Sequence, residues 1–227
     1  MSALSNPAHA RILGPVRTST PTHLAEIARA AGVRDARVLE MLRSLPRASF
    51  VPAELAAEAY LDEPLPIPHS QVTTQPSLVA KMVEALELAG SERVLEVGTG
   101  HGFQSALLAR LAGFVWSVER WEDLAATARA NLARQGIKNV EVVVGDGSMG
   151  LPEHAPYDAM LVSAAYPRVP PPLAKQLAQG GRLVQPIGRG GNEEVLLFEK
   201  RGQRLLRRRF VTRAHFVPLY GRHGFAP

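Results

Sequence analysis

Cysteine is missing from all 227 residues, which removes disulfide frameworks, thiolate nucleophiles and cysteine-ligated metals together. Histidines stand at 9, 23, 69, 101, 154, 215 and 223, in neither H-x-x-x-H nor H-E-x-x-H spacing, so metal catalysis finds no support. Long apolar runs are missing too. None approaches the ~20 residues of a membrane helix, and Met1 to Arg17 lacks the apolar core of a secretory signal. The expectation is a soluble, cytoplasmic chain with no membrane partner. No internal repeat or low-complexity tract interrupts it.

Two nucleotide fingerprints are also lacking. There is no G-x-x-x-x-G-K-S/T run to cradle a triphosphate. The loop Gly98-Thr99-Gly100-His101-Gly102 reads G-x-G-x-G, and Phe103 stands where a dinucleotide fingerprint wants its third small residue. A nicotinamide dinucleotide is therefore a poor fit. What the loop does have is a β-rich run, Arg93 to Val97, before the glycines and a helical pattern, Phe103 to Ala109, after them. A strand, a glycine turn and a helix start bring backbone N–H groups close to a ligand.

The composition, 46% hydrophobic, supports a real core. Net charge is +5, with much of the excess late in the chain at Arg201, Arg204, Arg207, Arg208, Arg209 and Arg213. Arginines alternating with apolar residues read as solvated charges guarding a sheet edge, and nucleic acid is an unlikely partner.

The first third reads as helical: a helix capped at Thr20-Pro21 running from His23 to Ala31, another opened by Asp35 and running to Arg43, and a third beginning at Val51 to Ala56. Prolines at 64, 66 and 68 then exclude regular helix, and His69 to Gln75 is a loop rich in hydroxyl and amide groups. Pro76 starts a helix with an apolar face of Leu78, Val79, Met82, Val83 and Leu86, stopped by Gly90. After the glycine turn, strands are expected at Phe114 to Glu119, Val140 to Val144, Asp158 to Ser163 and Arg182 to Pro186. Between them lie a helix from Glu122 to Gln135 and a short one from Pro171 or Pro172 to Leu177. Glu194 to Lys200 and Leu205 to Val211 flank a turn at Arg201-Gly202-Gln203 and read as a closing hairpin. The fold expected is α/β: a doubly wound, mostly parallel, Rossmann-like sheet with an N-terminal helical layer and C-terminal antiparallel strands. Residues 1–76 form the helical layer and substrate-side loop, and residues 77–227 the cofactor-binding domain, as one compact unit.

In such a sheet ligands bind outside the carboxyl ends of the strands. Those ends are Gly98 to Gly102, Glu119-Arg120, Asp146-Gly147 and Ser163-Ala164-Ala165. Each acid alone reads as a turn or capping residue, but acids at successive strand ends suit one ligand. Glu96 would meet a cationic amino group, Glu119 the ribose hydroxyls, and Asp146 the exocyclic amine of adenine, with Gly147 beside a ring nitrogen. S-adenosylmethionine has all of these groups.

Val94-Leu95-Glu96-Val97-Gly98-Thr99-Gly100 with Gly102 and Gln104 is one of several segments that share a resemblance. The others are Ser117-Val118-Glu119-Arg120, Val144 to Gly150 and Ala155-Pro156-Tyr157-Asp158-Ala159. With the upstream Phe50-Val51-Pro52, Tyr60, Pro64 to Ile67 and Gln71 to Pro76, the chain resembles the protein-L-isoaspartate O-methyltransferase family. Gln179 to Val184 and Phe216 to Leu219 agree, so the likeness covers about residues 40 to 220. It implies methyl transfer from S-adenosylmethionine to the free carboxylate of isoaspartyl residues in damaged proteins and peptides, followed by spontaneous collapse of the ester to a succinimide. It further implies cofactor contacts from Glu96, Gly98, Thr99, Gly100, Gly102, Gln104, Glu119, Arg120, Asp146 and Gly147. Acceptor contacts would come from Ser70, Gln71, Gln75, Ser163 and Ala164, and a catalytic hydroxyl from Thr74.

The chain departs from the family pattern on the acceptor side. Thr74 stands for the usual serine, Val72 for a threonine and Ser70 for a glycine; His101 and Phe103 replace Ser and Tyr, and Tyr166 replaces a smaller residue. Other readings are methyl transfer to another acceptor, either nucleic acid or a modified peptide aspartate, and a non-catalytic cofactor-binding module. Against nucleic acid, Ser163-Ala164-Ala165-Tyr166-Pro167 is neither an Asn/Asp-Pro-Pro-aromatic run nor a Pro-Cys nucleophile.

Overall fold

A computed structural model describes residues 20–226; the Met1 to Arg17 reading lies outside them. Helix α1 (Pro21–Ala30) buries Leu24, Ala25 and Ala28, and α2 (Ala36–Ser44) buries Val38, Leu39 and Leu42. The Asp35 carboxylate caps α2 by accepting from Arg37 N at 2.8 Å, whereas Thr20 caps α1 with its backbone alone. Glu84 of α3 (Pro76–Ala85) accepts from the backbone N–H groups of Arg34 and Asp35 at 2.5 and 2.6 Å, docking the α1–α2 corner.

Two expectations change here. The third helix is instead a 3-10 turn, Ala53–Glu58, preceded by another that was not expected, Arg47–Phe50. Pro46 and Pro52 each restart the chain, and the second turn buries no residue, so nothing holds it in α geometry. The proline loop is a hairpin, β1 (Leu65–Ile67) paired with β2 (Gln71–Thr73) in the register Leu65 to Thr73 and Ile67 to Gln71. Pro64, Pro66 and Pro68 alternate on the outside while Leu65 and Ile67 bury inward, so period-2 patterning survives the prolines.

The main sheet joins β3 (Arg93–Val97), β4 (Phe114–Glu119), β5 (Val140–Val144), β6 (Tyr157–Val162), β7 (Leu177–Ile187), β8 (Glu193–Arg201) and β9 (Arg204–Ala214) in the order β5-β4-β3-β6-β7-β8-β9. Pairs up to β6–β7 are parallel; β7–β8 and β8–β9 are antiparallel. Strand order therefore reverses between β3 and β6, and this switch point opens the ligand crevice. One face packs Val94, Val115, Leu161 and Val184 against α1 to α3, α4 (Phe103–Leu111) and α5 (Glu122–Arg134). The other packs Leu95, Val118, Met160 and Leu183 around Leu173 of α6 (Pro171–Gln176), Tyr157 and Leu219.

One buried cation ties the helical layer to the β1–β2 hairpin. Arg47 is fully buried, and its guanidinium donates to the carbonyls of Ala59 (3.0 Å), Leu61 (3.1 Å), Glu63 (3.0 Å) and Thr74 (3.3 Å), and to Thr73 Oγ1 (2.8 Å). Burial pulls its pKa down to about 10, with Asp62 opposing, so it stays charged at neutral pH. Arg47→Met strands those acceptors in a dry site and should cost roughly 3–5 kcal/mol, with Arg47→Lys recovering only part because one ammonium lacks the fork. Urea denaturation of the three proteins checks this, and a loss below about 1 kcal/mol for the methionine variant would contradict it.

Candidate active site

The crevice at the switch point is a cavity of about 340 Å³ between the glycine turn, the β1–β2 hairpin and the residues after β9. That is a small-ligand volume. Gly98 has φ +95, and a side chain there would meet Ser163, whose N–H donates to Val97 O at 2.9 Å across the reversal point. A Cβ on Gly147 would overlap Val97 Cγ1, so this strand end stays open only as glycine.

Of the expected site residues, Thr74, Gln71, Gln75, Gly98, Thr99, Gly100, Gln104, Glu119, Arg120, Gly147, Ser163 and Ala164 all line the cavity. Four do not: Gly102, Ser70, Glu96 and Asp146. Gly102, with φ +91, packs its Cα against Ala128 of α5 and shapes the turn from behind. Ser70 is exposed at the hairpin tip, a turn residue with φ +55.

Glu96 is fully buried behind the turn. Its Oε1 accepts from Gln104 Nε2 at 2.8 Å, and its Oε2 from Ser117 Oγ at 2.6 Å and from Ser105 Oγ. Thr99 Oγ1 extends the network to Ser117 Oγ at 2.5 Å. Burial pushes the Glu96 carboxyl up to about 7; the three hydrogen bonds oppose that shift, and the Glu119 charge adds to it. Its acidic charge is thus kept from direct ligand contact. Gln104 relays it: Nε2 also donates to Ser163 Oγ at 2.8 Å, while Oε1 is buried without a partner.

Asp146 is the fourth. Its Oδ1 accepts from Ser148 N (2.9 Å) and Ser148 Oγ (2.6 Å), and Oδ2 from Arg222 N (2.7 Å). Burial raises its pKa, but these bonds outweigh that and hold the carboxyl below the usual range. Gly221, whose Cβ would overlap Asp146 Oδ1, lets the tail come this close. Asp146 therefore anchors the C-terminal segment, and Gly147 beside it faces the cavity. Glu119 combines both roles: it lines the cavity, and it accepts from Gly100 N (2.9 Å), Arg120 N (2.8 Å) and Trp121 N (3.1 Å).

The walls include residues that sequence reading passed over. Ile67 at the hairpin covers Gly100, and Phe50 sits edge-on to Phe103 at 5.8 Å. His69 stacks on Trp121 at 3.9 Å, with Nε2 on the Asp123 carboxylate at 2.8 Å, fastening the hairpin tip to the start of α5. The Arg120 guanidinium also lies over the Trp121 ring at 4.9 Å and over the Tyr220 ring at 5.0 Å. His101 is buried with Nδ1 unpartnered, and burial lowers its pKa. Thr74 is half-buried, and its backbone is held by Arg47. No local pattern marks Arg47 or Tyr220 in the sequence, because their partners are 12 to 27 and 100 residues away.

Comparison with known proteins gives one consistent answer. The family model for protein-L-isoaspartate(D-aspartate) O-methyltransferase matches residues 19–224. A protein-L-isoaspartate O-methyltransferase of Anaeromyxobacter dehalogenans is 54% identical over 195 residues, covering 82% of this chain and 93% of that one. One from Methanoculleus marisnigri is 50% identical, covering 87% and 89%. A solved protein-L-isoaspartate O-methyltransferase superposes with TM-score 0.79 at 30% identity, over 90% of this chain and 67% of its own. A Plasmodium falciparum structure with S-adenosyl-L-homocysteine shares the fold at TM-score 0.74 and 22% identity, over 88% and 98% of the two chains.

The raised Glu96 pKa makes a stability prediction. Its folded value, about 7, exceeds the ordinary carboxyl value of 4.5. The folded state therefore binds more protons in that window. Stability from this group is full below pH ~4.5 and is lost as pH rises to about 7, by roughly 3 kcal/mol. Glu96→Gln cannot titrate, so the difference in unfolding free energy between variant and parent should move in the variant's favour from pH 4.5 to 7.5. A constant difference in urea melts across that range would contradict the buried-acid assignment.

Proposed function

The chain belongs to the protein-L-isoaspartate(D-aspartate) O-methyltransferase family, and from that premise we propose how its own residues carry the reaction. It is an S-adenosylmethionine-dependent enzyme that methylates isoaspartyl carboxylates. When bound, S-adenosylmethionine supplies an electrophilic methyl group on a sulfonium centre. The residues present fit it. Gly98 and Gly147 keep the strand ends open, and at the cavity wall Glu119 would accept from ribose hydroxyls with its remaining lone pairs and Gly147 would border adenine. The unpartnered Gln104 Oε1, backed by Glu96, offers the buried acceptor a cationic amino group needs.

The acceptor carboxylate is ionised at neutral pH, so no general base is required. What this chain must supply is alignment at ~3–3.5 Å from the methyl and removal of water. The β1–β2 hairpin and its neighbours do both: Ile67 of the hairpin and Phe50 of the preceding 3-10 turn exclude water, and the hydroxyl of Thr74, just after β2, would donate to the carboxylate oxygen that does not attack. In the transfer the attacking oxygen would bond to the methyl as the methyl–sulfur bond breaks, the electron pair returning to sulfur, so that the carboxylate's negative charge and the sulfonium's positive charge are discharged together and a neutral thioether leaves. Gln71, Gln75, Ser163 and Ala164 border the same space, with Gln75 fixed by Asp62 at 2.8 Å. Thr74 at the cavity, held through its own carbonyl by a buried cation, is the observation that carries this reading.

The test pairs two peptides identical but for isoaspartate against aspartate. Transfer is expected to the isoaspartyl peptide alone. Thr74→Ala should lower kcat roughly 10- to 100-fold while calorimetric cofactor affinity changes less than about twofold, and Thr74→Ser should keep the parental rate. Equal rates for parent and Thr74→Ala would remove that residue's role, and equal transfer to both peptides would remove the acceptor assignment.

A further inference from the structure

The basic C-terminal cluster remains unused by the chemistry above. The β8–β9 hairpin, Glu193 to Ala214, carries seven basic side chains against three acidic ones, a net +4 in a chain whose total is +5. Glu193 is buried and spent on Phe216 N at 3.0 Å. Glu194 is shared by Arg207 (3.5 Å) and Arg213 (3.0 Å), and Glu199 by Arg201 (2.5 Å) and Arg208 (3.1 Å). Two carboxylates thus serve four guanidiniums. Arg204 and Arg209 are exposed and have no ion-pair partner among the described residues.

β9 is also the last strand of the sheet, so among the described residues its outer edge pairs with no strand. Its eleven residues span about 36 Å, and its far end enters the cavity wall through Arg213, Ala214 and the adjoining His215. Two apolar side chains stand out from it, Leu206 at 40% and Phe210 at 46% exposure. Charges on an edge guard it against pairing with like-charged or neutral strands, but not with an acidic one. Here arginines flank exposed apolar residues on a strand that leads into the active site.

We propose that the free edge of β9 is a docking strand for an extended, acidic stretch of the polypeptide that carries the isoaspartyl residue. This rests on the acceptor assignment made above. The flanking chain adds to the sheet by main-chain hydrogen bonding, its acidic side chains meet Arg204, Arg209 and the under-neutralised arginines between them, and Leu206 and Phe210 take apolar neighbours. A polypeptide fits better than a nucleic acid, because an edge strand offers alternating N–H and C=O groups and only one aromatic platform.

The experiment uses one short isoaspartyl peptide with neutral flanks and the same core lengthened by about ten residues, rich in Glu in one version and in Gln in the other. KM for the Glu version should be roughly tenfold below that of the Gln version at low salt, with kcat unchanged, and the gap should shrink as salt rises. In Arg204→Glu/Arg209→Glu, and more mildly in Arg204→Gln/Arg209→Gln, the gap should close while KM for the short peptide stays at the parental value. Fluorescence anisotropy with the labelled Glu extension alone gives the same comparison without turnover. Equal KM for the two extensions, a gap that survives in both double variants, or single-stranded DNA displacing the labelled extension more strongly than unlabelled peptide would each overturn the proposal. Absence of transfer to the short peptide would sink the acceptor assignment instead, and the anisotropy would still decide the edge.

Discussion

A guanidinium buried with no carboxylate in ion-pair contact must find its compensation in backbone carbonyls, and that requirement shapes the acceptor side of this enzyme. The carbonyls of residues 59, 61, 63 and 74 and the Thr73 hydroxyl all converge on Arg47. Segments that meet at one cation cannot drift independently. The chain between them, Pro64 to Val72, forms a short hairpin whose Leu65 and Ile67 are buried, and Ile67 falls over the glycine turn. Hydrogen bonds from a charged donor are about twice as strong as neutral ones, so a neutral side chain could not hold the same set.

The acids at the strand ends show the same economy of contacts on the cofactor side. Each was legible as a ligand for a polar cofactor, yet each first satisfies protein donors. Glu119 receives three backbone N–H groups, including the Gly100 N–H of the turn itself, and so fixes the loop it would share with the ribose. Glu96 is deeper and meets only side chains, which places a titratable charge behind Gln104. Asp146 meets the tail. An acid that a close turn already needs cannot be assigned to a ligand from spacing alone, because the same geometry that brings it to the crevice also brings backbone donors to it.

What was readable in the sequence is what local physics determines. Strand β3, the turn and α4 follow from a β-rich run, glycines at positive φ and a helical period, and their predicted bounds match the observed ones to within about two residues. The closing hairpin at Gly202 follows in the same way. The β1–β2 pairing was hidden because three prolines read as loop, although their alternation left the inward face intact. The 3-10 turn Ala53–Glu58 was read as helix because Ala-Glu-Leu-Ala has helical propensity, whereas burial, which decides, is absent there. Arg47, Tyr220 and the tail contact on Asp146 are long-range meetings of side chain with backbone or ring, and nothing in a local window encodes them.

Those long-range meetings also join the two ends of the cavity. From the hairpin tip, His69 stacks on Trp121, the Arg120 guanidinium lies over both the Trp121 and Tyr220 rings, and Tyr220 is two residues before the Arg222 N–H that donates to Asp146. Each contact is worth on the order of 1 kcal/mol, but they act in series between two separately anchored segments, the hairpin held by Arg47 and the tail held by Asp146. Arg120 and Trp121 follow directly on Glu119, whose carboxylate accepts from both of their backbone N–H groups. Glu119, proposed above to meet the ribose, therefore also holds the two residues that link the acceptor hairpin to the tail. Methyl transfer needs a dry carboxylate and a fixed methyl at one distance, and a wall that shares a residue with both is how a site without a general base can meet that demand.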